Sequence, residues 1–308
     1  MEDSVLKINS ISKSYKKTDS KANDNITLSF KKGEITALIG HNGAGKSTLL
    51  NQIIGTIRPD NGDITYANHS FVKKPKIARE HVSIMPQIHA PISGVTISQA
   101  LESIMRIKGA TTNEMENSIP NILKELKIEK WKDTVGDKLS GGLCRLTSFA
   151  MTIAKPSDII LLDEPTNDVD PIRRQLIWKY LKKLSDNGHI IIIVTHNLLE
   201  VEQYANRYIM FDQGKIIKDE LAQSLNNNFS TNLLIIDTND NDLINSENFP
   251  EAVNKEKLED GKLMITLSLE QMESAFAWLL QMIKENKVFN YKLLPASLDI
   301  SYGGILDE

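Results

Sequence analysis

Hydrophobic and polar positions along this chain follow two periods, and the switches between them mark out its elements. Val5–Ile8 and Ile26–Phe30 read as strands, and a Lys31-Lys32-Gly33 turn leads into Glu34–Ile39, whose apolar run Ile35–Ile39 has the length of a buried strand. Ser47–Ile54 follows as a helix. Near residue 90 the character changes, because Pro91, Ser93 and Gly94 break the chain before Thr96, which forms a capping box with Gln99. Ile97, Ala100, Leu101, Ile104 and Met105 then share one helical face, as do Ile119, Ile122, Leu123 and Leu126. The pattern predicts a helical insertion over residues 90–155. Strand signals resume at Ile159–Leu162 and Ile190–Val194, with the helical stretch Ile172–Leu184 between them, a parallel α/β rhythm.

Past Ala222 the composition shifts to Asn226-Asn227-Asn228, read here as a linker that ends a first domain, 1–224, and precedes a second, 229–308. In the second, Leu233–Asp237, Leu263–Leu267 and Val288–Leu294 read as strands. Ser268 with Gln271 is expected to cap a helix whose apolar stripe is Leu269, Met272, Phe276, Leu279, Leu280 and Ile283.

Residues 40–48, Gly-His-Asn-Gly-Ala-Gly-Lys-Ser-Thr, complete the phosphate-binding form G-x-x-x-x-G-K-[ST] with Gly40, Gly45, Lys46 and Ser47 in the required places. A triphosphate carries closely spaced anionic oxygens, so its site needs inward-pointing N–H groups with a helix N-terminus behind them. Gly43 and Gly45 permit that tight turn. Lys46 suits the β- and γ-phosphates, and the Ser47 hydroxyl is a ligand for Mg²⁺. The strand Ile159–Leu162 ends in two adjacent acids: Asp163 is expected to hold Mg²⁺ through water, and Glu164 to polarise the attacking water as general base. Leu139-Ser140-Gly141-Gly142 precedes a helix that is expected to start near Leu143, so its N–H groups make a second anion site.

These elements, in this order, resemble the ATP-binding subunit of an ABC transporter, over about residues 4–222. The resemblance implies an α/β fold, a P-loop ATPase core of mixed sheet with antiparallel β and helical subdomains, followed here by a small α+β C-terminal domain. It implies that Gly40, Asn42, Gly43, Ala44, Gly45, Lys46, Ser47 and Thr48 surround the phosphates of ATP and that Tyr15 stacks on adenine. Ser140, Gly141 and Gly142 would bind the γ-phosphate held by a second copy in a head-to-tail homodimer. Gln87 matches the loop glutamine that reaches Mg²⁺ and the lytic water, and His196 the switch histidine that contacts the γ-phosphate. Asp170 matches the aspartate of the loop after Glu164.

The chain departs from that pattern in two places. Leu143 stands where glutamine is usual, which removes a hydrogen-bonding group from the expected dimer face. Asp168 and Val169 stand where a small residue and leucine are common. Cys144 sits at the start of the signature helix; a helix N-terminus lowers a thiol pKa, but the favoured reading is a small packed residue. The C-terminal segment loosely resembles the appended domain of drug- and peptide-export cassettes, which ends in a short helix after a proline, as in Pro295-Ala296-Ser297-Leu298.

Composition narrows the functional class. With 308 residues, 41% hydrophobic and 25% charged, the chain is an ordinary globular protein of two domains, and its single cysteine excludes an intrachain disulfide and fits a reducing cytosol. No apolar run approaches the roughly 20 residues that span a bilayer. A membrane role therefore calls for an integral permease partner, with this chain peripheral at the cytoplasmic face. A net charge of -4 gives no general footprint for nucleic acid, which weighs against a soluble ATPase acting on DNA or ribosomes. A binding-only regulatory cassette is disfavoured because Lys46, Gln87, Glu164 and His196 are all present. His41, His69, His81, His89 and His189 show no metal-ligand spacing, so ATP and its Mg²⁺ are the only cofactors expected.

Overall fold

The computed structural model describes residues 5–15, 20–88, 93–224, 231–238, 243, 249–252, 254–257 and 262–295. The Asn226–Asn228 stretch, Pro91 and the segment Ala296–Leu298 lie outside the described residues. The chain divides into two compact units, Met1–Ala222 and Gln223–Glu308.

The first unit is built on a six-stranded sheet. Strands β3 (Ile35–Ile39), β6 (Val82–Met85), β7 (Ile159–Asp163), β8 (Ile190–Val194) and β9 (Arg207–Asp212) run parallel in the order β9-β3-β8-β7-β6, and β10 (Lys215–Leu221) adds antiparallel to β9. Because side chains alternate along a strand, each buried strand feeds two cores. Ile160, Leu162, Ile191 and Ile193 join one hydrophobic cluster, and Ile159, Leu161, Ile190 and Ile192 the other. A four-stranded antiparallel sheet, β2 (Lys21–Lys31), β1 (Val5–Ser14), β4 (Asn61–Tyr66) and β5 (His69–Ser70), closes the second cluster with α1 (Lys46–Ile53) and α2 (Pro75–His81).

The first cluster is closed by α3 (Ile97–Ile107), α4 (Thr112–Glu125), α5 (Gly141–Ile153) and α6 (Pro171–Asp186). The Thr96–Gln99 capping box is present at α3, and Thr111 with Glu114 makes a second one at α4 that the sequence reading passed over. Two short 3₁₀ turns, Glu129–Trp131 and Gly136–Lys138, lead into α5, which starts at Gly141, two residues before the expected Leu143. The short helix α7 (Leu198–Tyr204) follows β8.

In the second unit, β12 (Asn254–Lys257), β13 (Leu263–Ser268), β11 (Thr231–Thr238) and β14 (Val288–Pro295) form an antiparallel sheet in that order. One face is covered by α8 (Met272–Lys284). One expectation fails here and another holds in part: of the predicted stripe, Met272, Phe276, Leu279 and Ile283 do pack on the core of this unit. The helix starts after Gln271, with no side chain capping it; the Gln271 Oε1 accepts instead from the Ser268 N–H at 2.9 Å, so the pair closes a turn before the helix. The buried face of α8 is Ala275, Trp278, Leu279 and Met282, while Leu269, which precedes the helix, and Leu280 are exposed. Trp278 rather than Leu280 meets the sheet, since residues two apart on a helix point about 200° apart.

Candidate nucleotide site

The parallel register brings the functional segments together. Met85 pairs with Leu162, Asp163 with Val194 and Leu38 with Val194, so β3, β6, β7 and β8 finish side by side at one edge of the sheet. From those four ends the chain continues into the phosphate loop, Gln87, Glu164 and His196 respectively. In open α/β sheets the crevice beyond the carboxyl ends of the strands is where ligands sit.

A cleft of about 290 Å³ lies there, lined by Asn42, Gly43, Gly45, Lys46, Ser47 and Thr48 together with Gln87, Asp163, Glu164 and Val194. The loop is held from behind. Gly45 has φ +104, and a Cβ on it would meet the Ala22 carbonyl oxygen at 2.0 Å, so only glycine fits; the buried Asn23 Nδ2 donates to the Gly45 carbonyl at 3.1 Å. Helix α1 opens directly after it with no side-chain cap and no acid in its first turn, which leaves its first N–H groups and the positive end of its dipole for an anion. Lys46 Nζ donates to the carbonyls of Gly40 at 2.6 Å and His41 at 2.8 Å. Burial pushes its pKa down, and the nearby Glu164 and Asp163 carboxylates oppose that shift.

The two acids differ in environment. Ser47 Oγ donates to Asp163 Oδ2 at 2.8 Å, joining residues 116 apart in sequence, and burial raises the Asp163 carboxyl above the ordinary aspartate value against that hydrogen bond. Glu164 lies one residue beyond β7 with φ +52, a left-handed conformation unusual for a side-chain-bearing residue. Pro165 follows and disfavours the right-handed helical alternative. Burial raises the Glu164 carboxyl, with the hydrogen bond from His196 opposing; His196 Nδ1 is 3.1 Å from Oε1, and Oε2 is buried without a partner.

A model of the ABC transporter family matches residues 23–167. Over 228 residues the chain is 30% identical to "ABC transporter ced-7" of Caenorhabditis elegans, and over 202 residues 32% identical to "Nod factor export ATP-binding protein I" of Mesorhizobium japonicum. These alignments take in 74% and 66% of this chain but only 13% and 59% of the respective relatives. Among solved structures, the dimeric structure of a bacterial ABC transporter cassette superposes with a TM-score of 0.65 at 26% identity, covering 70% of this chain and 98% of that one. This chain belongs to the ABC transporter family.

Within this ABC cassette not all the expected residues meet in the cleft. Ala44 is wholly buried beneath the loop, and a Cβ at Gly40 would strike the Phe211 carbonyl oxygen at 2.2 Å, so both shape the loop from behind. Tyr15 is 40% exposed at the end of β1, with Lys13 Nζ 5.9 Å from its ring centre, and does not line the cleft. Asp170 caps α6, accepting from the Arg173 N–H at 3.1 Å and pairing with the Arg173 guanidinium at 2.7 Å. Ser140 caps α5 through the Leu143 N–H at 3.4 Å, with Ser140 and Gly141 exposed beside it. A Cβ on Gly142 would meet the Asp168 carbonyl oxygen at 2.6 Å, so the signature packs directly on the loop after Glu164.

One reading of the departures is corrected. Leu143 is only 8% exposed and joins the first hydrophobic cluster together with Val169, so its side chain faces the core and not a dimer face. Burial pushes the Cys144 thiol up, the opposite of activation at a helix N-terminus.

Arg145 was missed by sequence reasoning. It is the sole charged residue of α5, yet it is 3% exposed and donates only to main-chain carbonyls, those of Pro86 at 3.1 Å, Gln87, Asp163, and Glu164 at 3.0 Å from Nε. A lone arginine in an otherwise uncharged, glycine-led helix was the available signal. Glu200 was also missed: its buried carboxylate accepts from Thr166 Oγ1 at 2.8 Å and Trp178 Nε1 at 2.9 Å, bracing the loop after Glu164 from below.

Proposed function

We propose that this chain hydrolyses ATP with Mg²⁺, as a nucleotide-sandwich homodimer that drives transport, in the export direction, through a separate integral membrane permease. The observation that carries the reading is the convergence, in one cleft, of an uncapped helix behind Lys46, the Ser47–Asp163 oxygen pair, and a buried carboxylate with one free oxygen. Each has a distinct task. The loop N–H groups and Lys46 bind the β- and γ-phosphates. Hard oxygens from Ser47, Asp163 and Gln87 suit Mg²⁺, and a cation there relieves the burial that raises the Asp163 carboxyl. The metal, when bound, neutralises charge on the phosphate oxygens.

Glu164 Oε2 accepts the proton of the attacking water, while His196 holds Oε1 and steers the carboxylate. Its raised pKa makes it a better base than a solvated glutamate. Homodimerisation is supported by the exposed Ser140 and Gly141 and by likeness to a dimeric cassette. Export rests on the Nod factor export relative, and the permease on the finding that no helix among the described residues is long and apolar enough to cross a membrane. The reading is tested by phosphate release from Mg-ATP, with Lys46→Ala and Glu164→Gln as paired variants. Both nearly abolish it, but Lys46→Ala also weakens ATP binding and Glu164→Gln does not. Equal ATP affinity in wild type and Lys46→Ala would remove the phosphate loop from the site.

A further inference from the structure

Arg145 touches neither a carboxylate side chain nor the cleft, yet its guanidinium engages both loops whose residues do the chemistry proposed above. Nε and Nη2 donate to the Glu164 carbonyl, Nη2 also to the Asp163 carbonyl, and Nη1 to the carbonyls of Pro86 and Gln87. A carbonyl oxygen's direction is set by its own residue's ψ. Holding the oxygens of Glu164 and Gln87 on one rigid, planar fork therefore fixes ψ at both residues at once. At Glu164 this matters most, because the residue sits at φ +52 and has little intrinsic preference for staying there.

The third attachment is the arginine's own helix. Arg145 lies five residues into the segment that begins with Ser140, the cap of α5, and Gly142 of the same turn packs on the Asp168 carbonyl. A buried guanidinium whose five hydrogen bonds all go to main-chain carbonyls is costly to desolvate. An apolar side chain would fill the same space in α5 without that cost, so the arginine is explained by what it joins.

We propose that Arg145 is a positioning residue: its fork sets Gln87 and Glu164 in one geometry and ties both to the placement of helix α5. The proposal rests on ATP hydrolysis as the reaction, and the measurements separate the two. In the full chain, Arg145→Gln lowers kcat about 100-fold while KM and ATP affinity hold, as expected when catalytic groups are misplaced without loss of binding. Arg145→Lys, which keeps the charge without the fork, lies between the two and serves if Arg145→Gln does not fold. In a Glu164→Gln background, Arg145→Gln adds less than about twofold further loss, because both changes disable the same step. Amide hydrogen exchange of the nucleotide-free variant speeds up in residues 87–88 and 166–169 together.

Full kcat in Arg145→Gln or in Arg145→Lys would overturn the proposal. So would a fall in kcat matched by an equal fall in ATP affinity, losses that multiply in the Glu164→Gln background, or faster exchange confined to α5. If the wild-type chain releases no phosphate from Mg-ATP, the hydrolysis reading fails by itself, and the exchange comparison alone decides whether Arg145 joins the two loops.

Discussion

His196 Nδ1 lies 3.1 Å from Glu164 Oε1, and the exposed ring leaves the other carboxylate oxygen, Oε2, buried and unpartnered. The contact divides one carboxylate into a held oxygen and a working one. It also opposes the burial that raises the Glu164 pKa.

That balance predicts a pH dependence. Glu164 acts as a base only when ionised, so kcat falls as pH drops through a value above the ordinary glutamate range. His196→Ala removes the opposing contact and moves this acid limb to higher pH. The stability consequence has the opposite sense: a carboxyl whose folded pKa is raised destabilises the fold when ionised. Glu164→Gln therefore raises the melting temperature at pH above that raised value, and the gain shrinks as pH falls through it towards the unfolded range. A kcat profile flat down to pH 4 removes the assigned base.

Closure of the homodimer is predicted to require nucleotide, since each chain supplies one phosphate loop and one Ser140-Gly141-Gly142 segment. Glu164→Gln with Mg-ATP sediments as a dimer and the nucleotide-free protein as a monomer. Ser140→Ala lowers hydrolysis without lowering the monomer's ATP affinity. A monomer under both conditions argues against the sandwich.

Leu143→Gln, which writes the usual signature residue back, is predicted to destabilise this chain. The side chain is buried among apolar neighbours, so an amide there costs about 1–3 kcal/mol without a compensating partner. Urea unfolding measures it; unchanged stability means that position 143 reaches solvent or a partner.

Among the described residues, the hydrophobic clusters of the first unit and the side chains packed against them run as far as Ile216, and the cluster of the second unit begins at Leu234. A chain ending at Ser224 is therefore expected to fold and bind ATP with unchanged affinity. Loss of cooperative unfolding in that truncation places part of its core in the second unit.

Much of the site was legible without coordinates because its chemistry depends on local backbone form. The phosphate-loop pattern, with Gly40, Gly45, Lys46 and Ser47, is contiguous in sequence, and the apolar runs Ile35–Ile39 and Ile190–Val194 appear as strands β3 and β8 with unchanged bounds. Capping at Thr96 is equally local. The short strand Val82–Met85, the second capping box and the antiparallel strands at 61–70 had weaker signals and were passed over.

Other features belong to the tertiary structure alone. That Leu143 faces inward and that Trp278 rather than Leu280 meets the sheet follow from how α5 and α8 pack on their neighbours, which selects one among faces about 100° apart per residue. The pairing of Ser47 with Asp163 spans 116 residues, and Arg145 reaches carbonyls 18 and more residues away on two different loops. The sequence by itself determined which groups are candidates to bind a triphosphate and which acid is the candidate base, because residue chemistry is carried by each side chain. Only the register of four parallel strands, set by how their buried faces pack, decided that those groups share one cleft and that one buried arginine underlies two of them.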